Sequence, residues 1–344
     1  MAEKVLVTGG TGFLGSQLIL QLLQRGADVR TTVRSLAKKE GLIKTLQDNG
    51  IQNTDQLSFA VADLSSDDGW DAAMADREYV FSVASPVFFE EPKSEEAAIR
   101  PAVDGISRVL QAALRNHVKR VVMTSNFGAV GFSKHRGADQ VTTEADWTDP
   151  EVPGLSIYEK SKLLAEKAAW QLMDAHKDEM SFATVNPVAI FGPSLNEHIS
   201  GSFMLIENLV NGSMQRIPNL PLNVVDVRDV ADIHIRAMFT PAAAGKRFIA
   251  SADGQISLRE MADLIRRERP QAAAKITTKK LPDFVIDLGA PFNAQAKAGK
   301  LMKNMNRNVA NDQAKTILGW RPRSTSKETV LAAVDSMLQY DLIK

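Results

Sequence analysis

Four glycines crowded into one turn constrain this chain more than any other feature. Residues Val5 to Gly15 read Val-Leu-Val-Thr-Gly-Gly-Thr-Gly-Phe-Leu-Gly. A short apolar run enters a tight turn, and Gln17-Leu18-Ile19-Leu20-Gln21-Leu22-Leu23 leaves it with a helical pattern. Glycine serves where a turn needs backbone conformations that a Cβ forbids. Gly10-x-Gly12-x-x-Gly15 and the wider Gly9-x-x-Gly12-x-x-Gly15 both fit a dinucleotide-binding turn. There the backbone approaches a pyrophosphate at the positive end of the helix. Glycines alone would suit any βα turn; the strand before them and the helix after select the binding role.

The rest of the chain extends that unit. Asp28 to Val33 reads as a second strand, rich in β-branched residues, with Gly26 ending the helix before it. Further strands are expected at Leu57–Val61, Glu78–Ala84, Lys119–Ser125 and Met180–Asn186. Helices are expected from about Asp67, over Ala97–Asn116 and over Ile157–His176. Strands thus alternate with helices to about residue 190, the pattern of an α/β, doubly wound parallel Rossmann sheet. Beyond Phe191-Gly192-Pro193 the alternation breaks down, with strands at Asn223–Val227 and Arg247–Ala250. The expected division is a dinucleotide-binding domain over 1–190 and a smaller α/β substrate-binding part over 191–344, with some elements returning to the first domain. The segment from Asn126 to Gly154 reads as a long loop, and long loops are often functional.

Strand two ends in Arg34-Ser35, with Lys38 and Lys39 beyond. An acid at that point would hydrogen-bond the two adenosine ribose hydroxyls of NAD. Arg34 and Lys38 instead suit a 2′-phosphate, so NADP(H) is the expected cofactor. Asp63 falls where an adenine amino group can be bound, or where it can cap the following helix. Strand four ends in the small residues Ala84-Ser85, which let backbone come close to the cofactor.

Composition closes other routes. There is no cysteine, so thiolate chemistry and disulfides are excluded. Lys plus Arg equals Asp plus Glu, 41 against 41, which favours neither nucleic acid nor an anionic membrane as partner. The five histidines show no metal-ligand spacing, so no metal is expected; His234, in an apolar helix, reads as structural. Asp226, Arg228 and Asp229 read as an ion-pair and capping network. No apolar run has the length of a membrane span and no signal peptide precedes the first strand, so a cytoplasmic location is the expectation.

Tyr158-Glu159-Lys160-Ser161-Lys162 is the second anchor. Tyr158 and Lys162 stand four apart and share one helix face. A free tyrosine has a pKa of about 10, and a cation one turn away brings it into range for proton transfer near neutrality. Tyr158 can then protonate a carbonyl oxygen as hydride arrives at the carbon, while Lys162 reaches the nicotinamide ribose.

These features together resemble the extended short-chain dehydrogenases/reductases. The resemblance rests on Thr8 to Gly15, Asp63-Leu64, Val83-Ala84-Ser85-Pro86, Thr124-Ser125, Tyr158-x-x-x-Lys162, Asn186-Pro187-x-x-x-Phe191-Gly192-Pro193 and Leu318-Gly319-Trp320-Arg321-Pro322. It covers nearly the whole chain and is most similar to the dihydroflavonol-4-reductase and NADPH-dependent aldehyde/ketone reductase branch. The resemblance implies cofactor contacts from Gly9, Thr11, Gly12, Phe13, Leu14 and Gly15, then from Arg34, Lys38, Asp63 and Leu64. Val83, Ala84, Ser85, Thr124, Tyr158 and Lys162 follow, with Pro187, Val188 and Ile190 last. It implies substrate contacts from Val87, Phe88, Phe89, Phe127, Ile190, Phe191, Met204, Leu222 and Val224, a mostly apolar set. One departure matters. The family's catalytic serine is the third residue of the turn after strand five, and here that residue is Asn126. An Asn amide can donate to a carbonyl oxygen, and a register shift would bring Ser125 there instead.

The expected function is NADPH-dependent reduction of an apolar aldehyde, ketone or related carbonyl. Tyr158 would be the acid, Lys162 its tuning partner, and Asn126 or Ser125 the group that polarises the oxygen. The rivals are a nucleotide-sugar epimerase or dehydratase of the same superfamily and a non-catalytic NADP-binding sensor or scaffold. A homodimer through helix 157–176 is expected from the fold.

Overall fold

The structure, a computed structural model, describes residues 2–86, 94–135, 137 and 140–343. Its first part alternates as the sequence predicts. In order come β1 (Lys4–Val7), α1 (Phe13–Gln24), β2 (Asp28–Val33), α2 (Lys39–Asp48), β3 (Leu57–Val61), α3 (Trp70–Met74) and β4 (Tyr79–Ser82). Then follow α4 (Glu95–Arg115), β5 (Arg120–Thr124), α5 (Ile157–Ala175) and β6 (Ser181–Pro187). The later part contains β7 (Ala189–Phe191), α6 (Met204–Val210), β8 (Pro221–Leu222), β9 (Val224–Asp226), α7 (Val227–Phe239), β10 (Lys246–Ala250) and β11 (Ile256–Ser257). Helices α8 (Leu258–Glu268), α9 (Asp283–Gly289), α10 (Ala294–Asn304), α11 (Asp312–Leu318) and α12 (Ser326–Gln339) complete it.

Seven of the described strands form one parallel sheet, ordered β10-β6-β5-β4-β1-β2-β3. The order reverses at β1, with Val5 paired to Val29 on one side and to Tyr79 on the other. In such sheets the ligand crevice lies beyond the carboxyl ends of the strands at that switch point.

Period-two alternation divides the core. Val5, Val7, Phe81 and Val122 face the layer that holds α1 and α7. Leu6, Val80, Val121 and Met123 face α3, α4 and α5. The later part shares this core: α8 and α12 pack into the same cluster as α1. The elements that return to the sheet are β10, its edge strand, and α7. The latter is joined to α1 by Gln21 Nε2 donating to the Arg228 carbonyl (3.0 Å) and by Arg25 with Asp232 (3.2 Å). Trp320 is fully buried and its indole N–H donates to the Asp229 carbonyl, 3.0 Å, so the Leu-Gly-Trp stretch pins α11 to α7.

Most elements fall within two residues of expectation, and two of the differing boundaries have a clear local cause. The helix expected from Asp67 begins at Trp70, after Gly69 in the left-handed region (φ +82°), where a Cβ would lie 2.1 Å from the Val61 carbonyl oxygen. The strand expected to reach Val227 stops at Asp226, because that carboxylate accepts the Arg228 N–H (2.8 Å) and caps α7. As expected, Asp226, Arg228 and Asp229 work as caps and ion pairs: Arg228 pairs with Asp226, and Arg323 with Asp229.

Candidate functional site

The glycine turn closes on itself. Gly9 has φ +71°, its N–H donates to Thr32 Oγ1 (3.1 Å), and its carbonyl accepts the Gly12 N–H (3.1 Å). A Cβ on Gly15 would stand 2.3 Å from the Gly9 oxygen, and one on Gly10 2.1 Å from Thr31 Oγ1. Both positions are therefore closed to larger residues. The buried Thr8 hydroxyl accepts the N–H groups of Val83 and Ala84, each at 2.9 Å, and so ties the turn to the end of β4. Gly12 caps α1 with no side-chain hydrogen bond, which leaves the helix start for an anion. Gly12 is exposed and Thr11 half-buried, whereas Phe13 and Leu14 are buried and Phe13 packs edge-on to Phe203.

Arg34 and Lys38 are exposed beyond β2, on a short turn capped by Ser35. Asp63 lies within the field of Arg34. Its carboxylate accepts the N–H (2.8 Å) and hydroxyl (2.6 Å) of Ser65, and these bonds, with Arg34 adding to them, hold its pKa below the usual value. Of the two sequence readings, helix capping is not what Asp63 does; it closes a local turn to Ser65.

Leu64, Ala84, Ser85, Thr124 and Lys162 line one open cleft beside the turn. One turn before Lys162 on the same helix stands Tyr158, in the first turn of α5. Ser156 and Glu159 form a capping box there, which fixes the entry of the helix. Lys162 lies one turn further, 6% exposed, and its ammonium donates to the Thr124 carbonyl at 3.4 Å. Burial pushes Lys162 down to about 8, against the opposing charge of Glu166.

The Tyr158 phenol is raised above its ordinary value, by partial burial first and by the Glu159 charge second, while a hydrogen bond from Asn126 acts downward. Since 46% of the Tyr158 surface remains open, water moderates that burial. The Lys162 ammonium is turned inward to the Thr124 carbonyl, and Asn126 is the side chain that acts to lower the Tyr158 pKa in this arrangement.

Asn126 is oriented from both sides. Its Oδ1 accepts the Gly128 N–H as the cap of the turn Phe127–Ala129, so its amide N–H₂ is directed to the Tyr158 hydroxyl. Gly128 has no room for a side chain, because a Cβ would meet the Asn126 amide oxygen at 2.5 Å and the Glu159 stem at 2.7 Å. Ser125 points elsewhere: its hydroxyl donates to Glu166 in the interior.

The apolar residues expected on the substrate side divide. Phe127 is buried against Phe132, Phe191 is fully buried against Phe203, and Leu222 and Val224 are core. Met204 is 59% exposed at the start of α6. Pro187 ends β6 opposite Ala250, the buried Val188 donates its N–H to Ala250, and Ile190 lies half-buried in β7. Val87, Phe88 and Phe89 lie outside the described residues. What the sequence did not single out is Glu166, fully buried and bound to Ser125, Asn186 and Arg247. Its signal was an acid four residues after Lys162, in a helical stripe otherwise made of Leu163, Ala165 and Ala169.

Comparison with known proteins agrees with this geometry. A model of the 3-beta hydroxysteroid dehydrogenase/isomerase family matches residues 6–247, more than half of the chain. An anthocyanidin reductase of Vitis vinifera is 33% identical over 283 residues, covering 78% of this chain and 82% of that one. A putative NADPH-dependent methylglyoxal reductase of Candida albicans is 30% identical over 342 residues, covering 93% and 94%. The crystal structure of a yeast methylglyoxal/isovaleraldehyde reductase complexed with NADPH superposes with a TM-score of 0.80 at 27% identity, over 99% of both chains. The chain is therefore an oxidoreductase of the 3-beta hydroxysteroid dehydrogenase/isomerase family, among the extended short-chain dehydrogenases/reductases.

Proposed function

We propose that this chain is an NADPH-dependent reductase of small apolar aldehydes and ketones. The observation that carries the reading is the hydrogen bond of Asn126 to Tyr158, one helical turn from Lys162, which lines the cleft with Ala84 and Thr124. The unhindered glycine turn and the uncapped start of α1 fit a pyrophosphate, and Arg34 with Lys38 fits a 2′-phosphate. When bound, NADPH supplies the hydride that reduces the carbonyl carbon. Tyr158, neutral near pH 7, gives its proton to the carbonyl oxygen. Asn126 donates to the same oxygen as charge develops there. Lys162 supplies a cation behind the site and a donor toward the nicotinamide ribose.

Small carbonyls are favoured over large ones by the match across both parts of the yeast methylglyoxal/isovaleraldehyde reductase. In this reading residues 191–344 supply the substrate side, with Met204 exposed at its edge. A cytoplasmic location and a homodimer paired through α5 belong to the same reading. The test is cofactor depletion across a panel of apolar aldehydes and ketones, run with NADPH and with NADH. Turnover with NADPH is expected; a clear preference for NADH would turn the reading toward an epimerase or dehydratase. Tight NADP binding with no turnover would turn it toward a sensor.

A further inference from the structure

Glu166 sits one turn beyond Lys162 on α5 with no exposed surface. Its Oε2 accepts the Ser125 hydroxyl and the Asn186 side-chain amide (2.7 Å). Its Oε1 accepts Arg247 Nε (2.8 Å), the Thr184 hydroxyl (3.1 Å) and the Trp170 indole N–H (3.2 Å). Asn186 Nδ2 also donates to the backbone carbonyl of Asn126, at 3.3 Å. Stability alone does not account for such a group, since apolar residues of similar volume commonly replace a buried ion pair at no loss.

We propose that Glu166 is the positioning residue of this site: from the buried face of α5 it holds the Lys162 ammonium charged and ties the Ser125–Asn126 turn to the helix that carries Tyr158. The proposal rests on the reading of Tyr158, Lys162 and Asn126 given above. The surroundings of Lys162 single Glu166 out. The residues that line the cleft with Lys162, among them Ala102 and Ile106 of α4, Ser82 of β4, and Met123 and Thr124 of β5, carry no ionisable group. Tyr158 and Glu166 on its own helix are the titratable groups one turn to either side. Burial lowers Lys162 and the charge of Glu166 opposes that lowering. Arg247, stacked 3.7 Å from the centre of the Trp147 ring, fixes the carboxylate from the sheet edge.

The experiment follows Lys162 by the carbon-13 resonance of its Cε in the cofactor-free protein. In parallel it follows the alkaline limb of kcat for NADPH-dependent reduction of isovaleraldehyde. Loss of one nearby opposite charge shifts a pKa by about one unit or more. Glu166→Gln should therefore lower the Lys162 midpoint and the alkaline limb together by about one pH unit, a tenfold change in the acid constant, with KM little altered. Glu166→Asp, which keeps the charge, should restore most of the shift. Because Glu166→Gln leaves Arg247 unpaired, the double variant Glu166→Gln/Arg247→Met is measured beside it. A Lys162 midpoint unmoved in either folded variant overturns the proposal, as does failure of both to fold, which would make Glu166 a core staple. Tyr158→Phe separates the two readings. If it keeps full activity, the assignment of the site is wrong; the Lys162 titration needs no activity and judges Glu166 by itself.

Discussion

The two ends of the cleft are held by different means. At the cofactor end, shape is backbone: Gly9, Gly10 and Gly15 stand where a Cβ would strike the Ala84 backbone, Thr31 or the Gly9 oxygen, and one hydroxyl, Thr8, ties the turn to β4. At the oxygen end, shape is side chain: Asn126, Tyr158 and Lys162 are set by Gly128, Thr124 and the buried set around Glu166. A backbone site comes from one contiguous stretch and tolerates only glycine. A side-chain site comes from residues scattered over more than a hundred positions, and it depends on protonation states that burial shifts.

If the comparison is right, chemistry and binding separate cleanly. Tyr158→Phe removes the proton donor and leaves the glycine turn untouched. The expected loss is about 10²- to 10⁴-fold in kcat, the range for general acid catalysis, with NADPH affinity by fluorescence titration unchanged. A variant that loses cofactor affinity as much as kcat would break the division. Asn126→Ala should cost about 10²- to 10³-fold in kcat, the scale of one oxyanion donor. Ser125→Ala should cost much less, because that hydroxyl is spent on Glu166. The reverse ranking would make Ser125 the donor.

The cofactor end is sharpened by Arg34→Ala. One charge-assisted contact to a phosphate contributes about 1.5–3 kcal/mol, so KM for NADPH should rise roughly 10- to 100-fold. KM for NADH should stay as it is. An equal rise for both cofactors would show that Arg34 acts on fold or diphosphate rather than on the 2′-phosphate.

The same contrast explains what the sequence made legible. The glycine turn, the alternation of strands and helices through β6 and the Tyr158–Lys162 pair are local patterns, and each was readable. The environment of that pair was not. A helix face predicts that Lys162 lies near Tyr158, but not that its ammonium turns inward to Thr124, 38 residues away in sequence. Asn126 looked like a gap in the family pattern, because only the fold shows its amide clamped by Gly128 and directed at Tyr158. Phe127 and Phe191 read as substrate contacts by their place in the motifs. Their burial against Phe132 and Phe203 is tertiary, and tertiary packing is what a hydrophobic pattern leaves undetermined.

The smallest effect expected lies behind the oxygen end, where His234 reads as structural from the sequence and turns out to touch the site's wall. It is fully buried on α7, with Nδ1 2.7 Å from the Val230 carbonyl and Nε2 2.7 Å from the Thr124 hydroxyl. The carbonyl can only accept, so Nδ1 carries the proton and Nε2 accepts from Thr124. Burial lowers this imidazole to about 4, below its ordinary value of 6.5. Because the unfolded chain binds the proton more readily, the stabilisation is fully present above pH 6.5 and is lost as the pH falls toward 4. Between pH 6.5 and 5 the loss amounts to roughly 1.6 kcal/mol, or about 2–3 °C in Tm for a chain of 344 residues. His234→Gln should be less stable than the parent at pH 7 yet lose less on acidification, so the two melting curves should converge by pH 5. Parallel curves would mean that His234 does not titrate in this window. Cofactor affinity at pH 5 should meanwhile hold in both proteins, since no buried histidine supports the glycine turn.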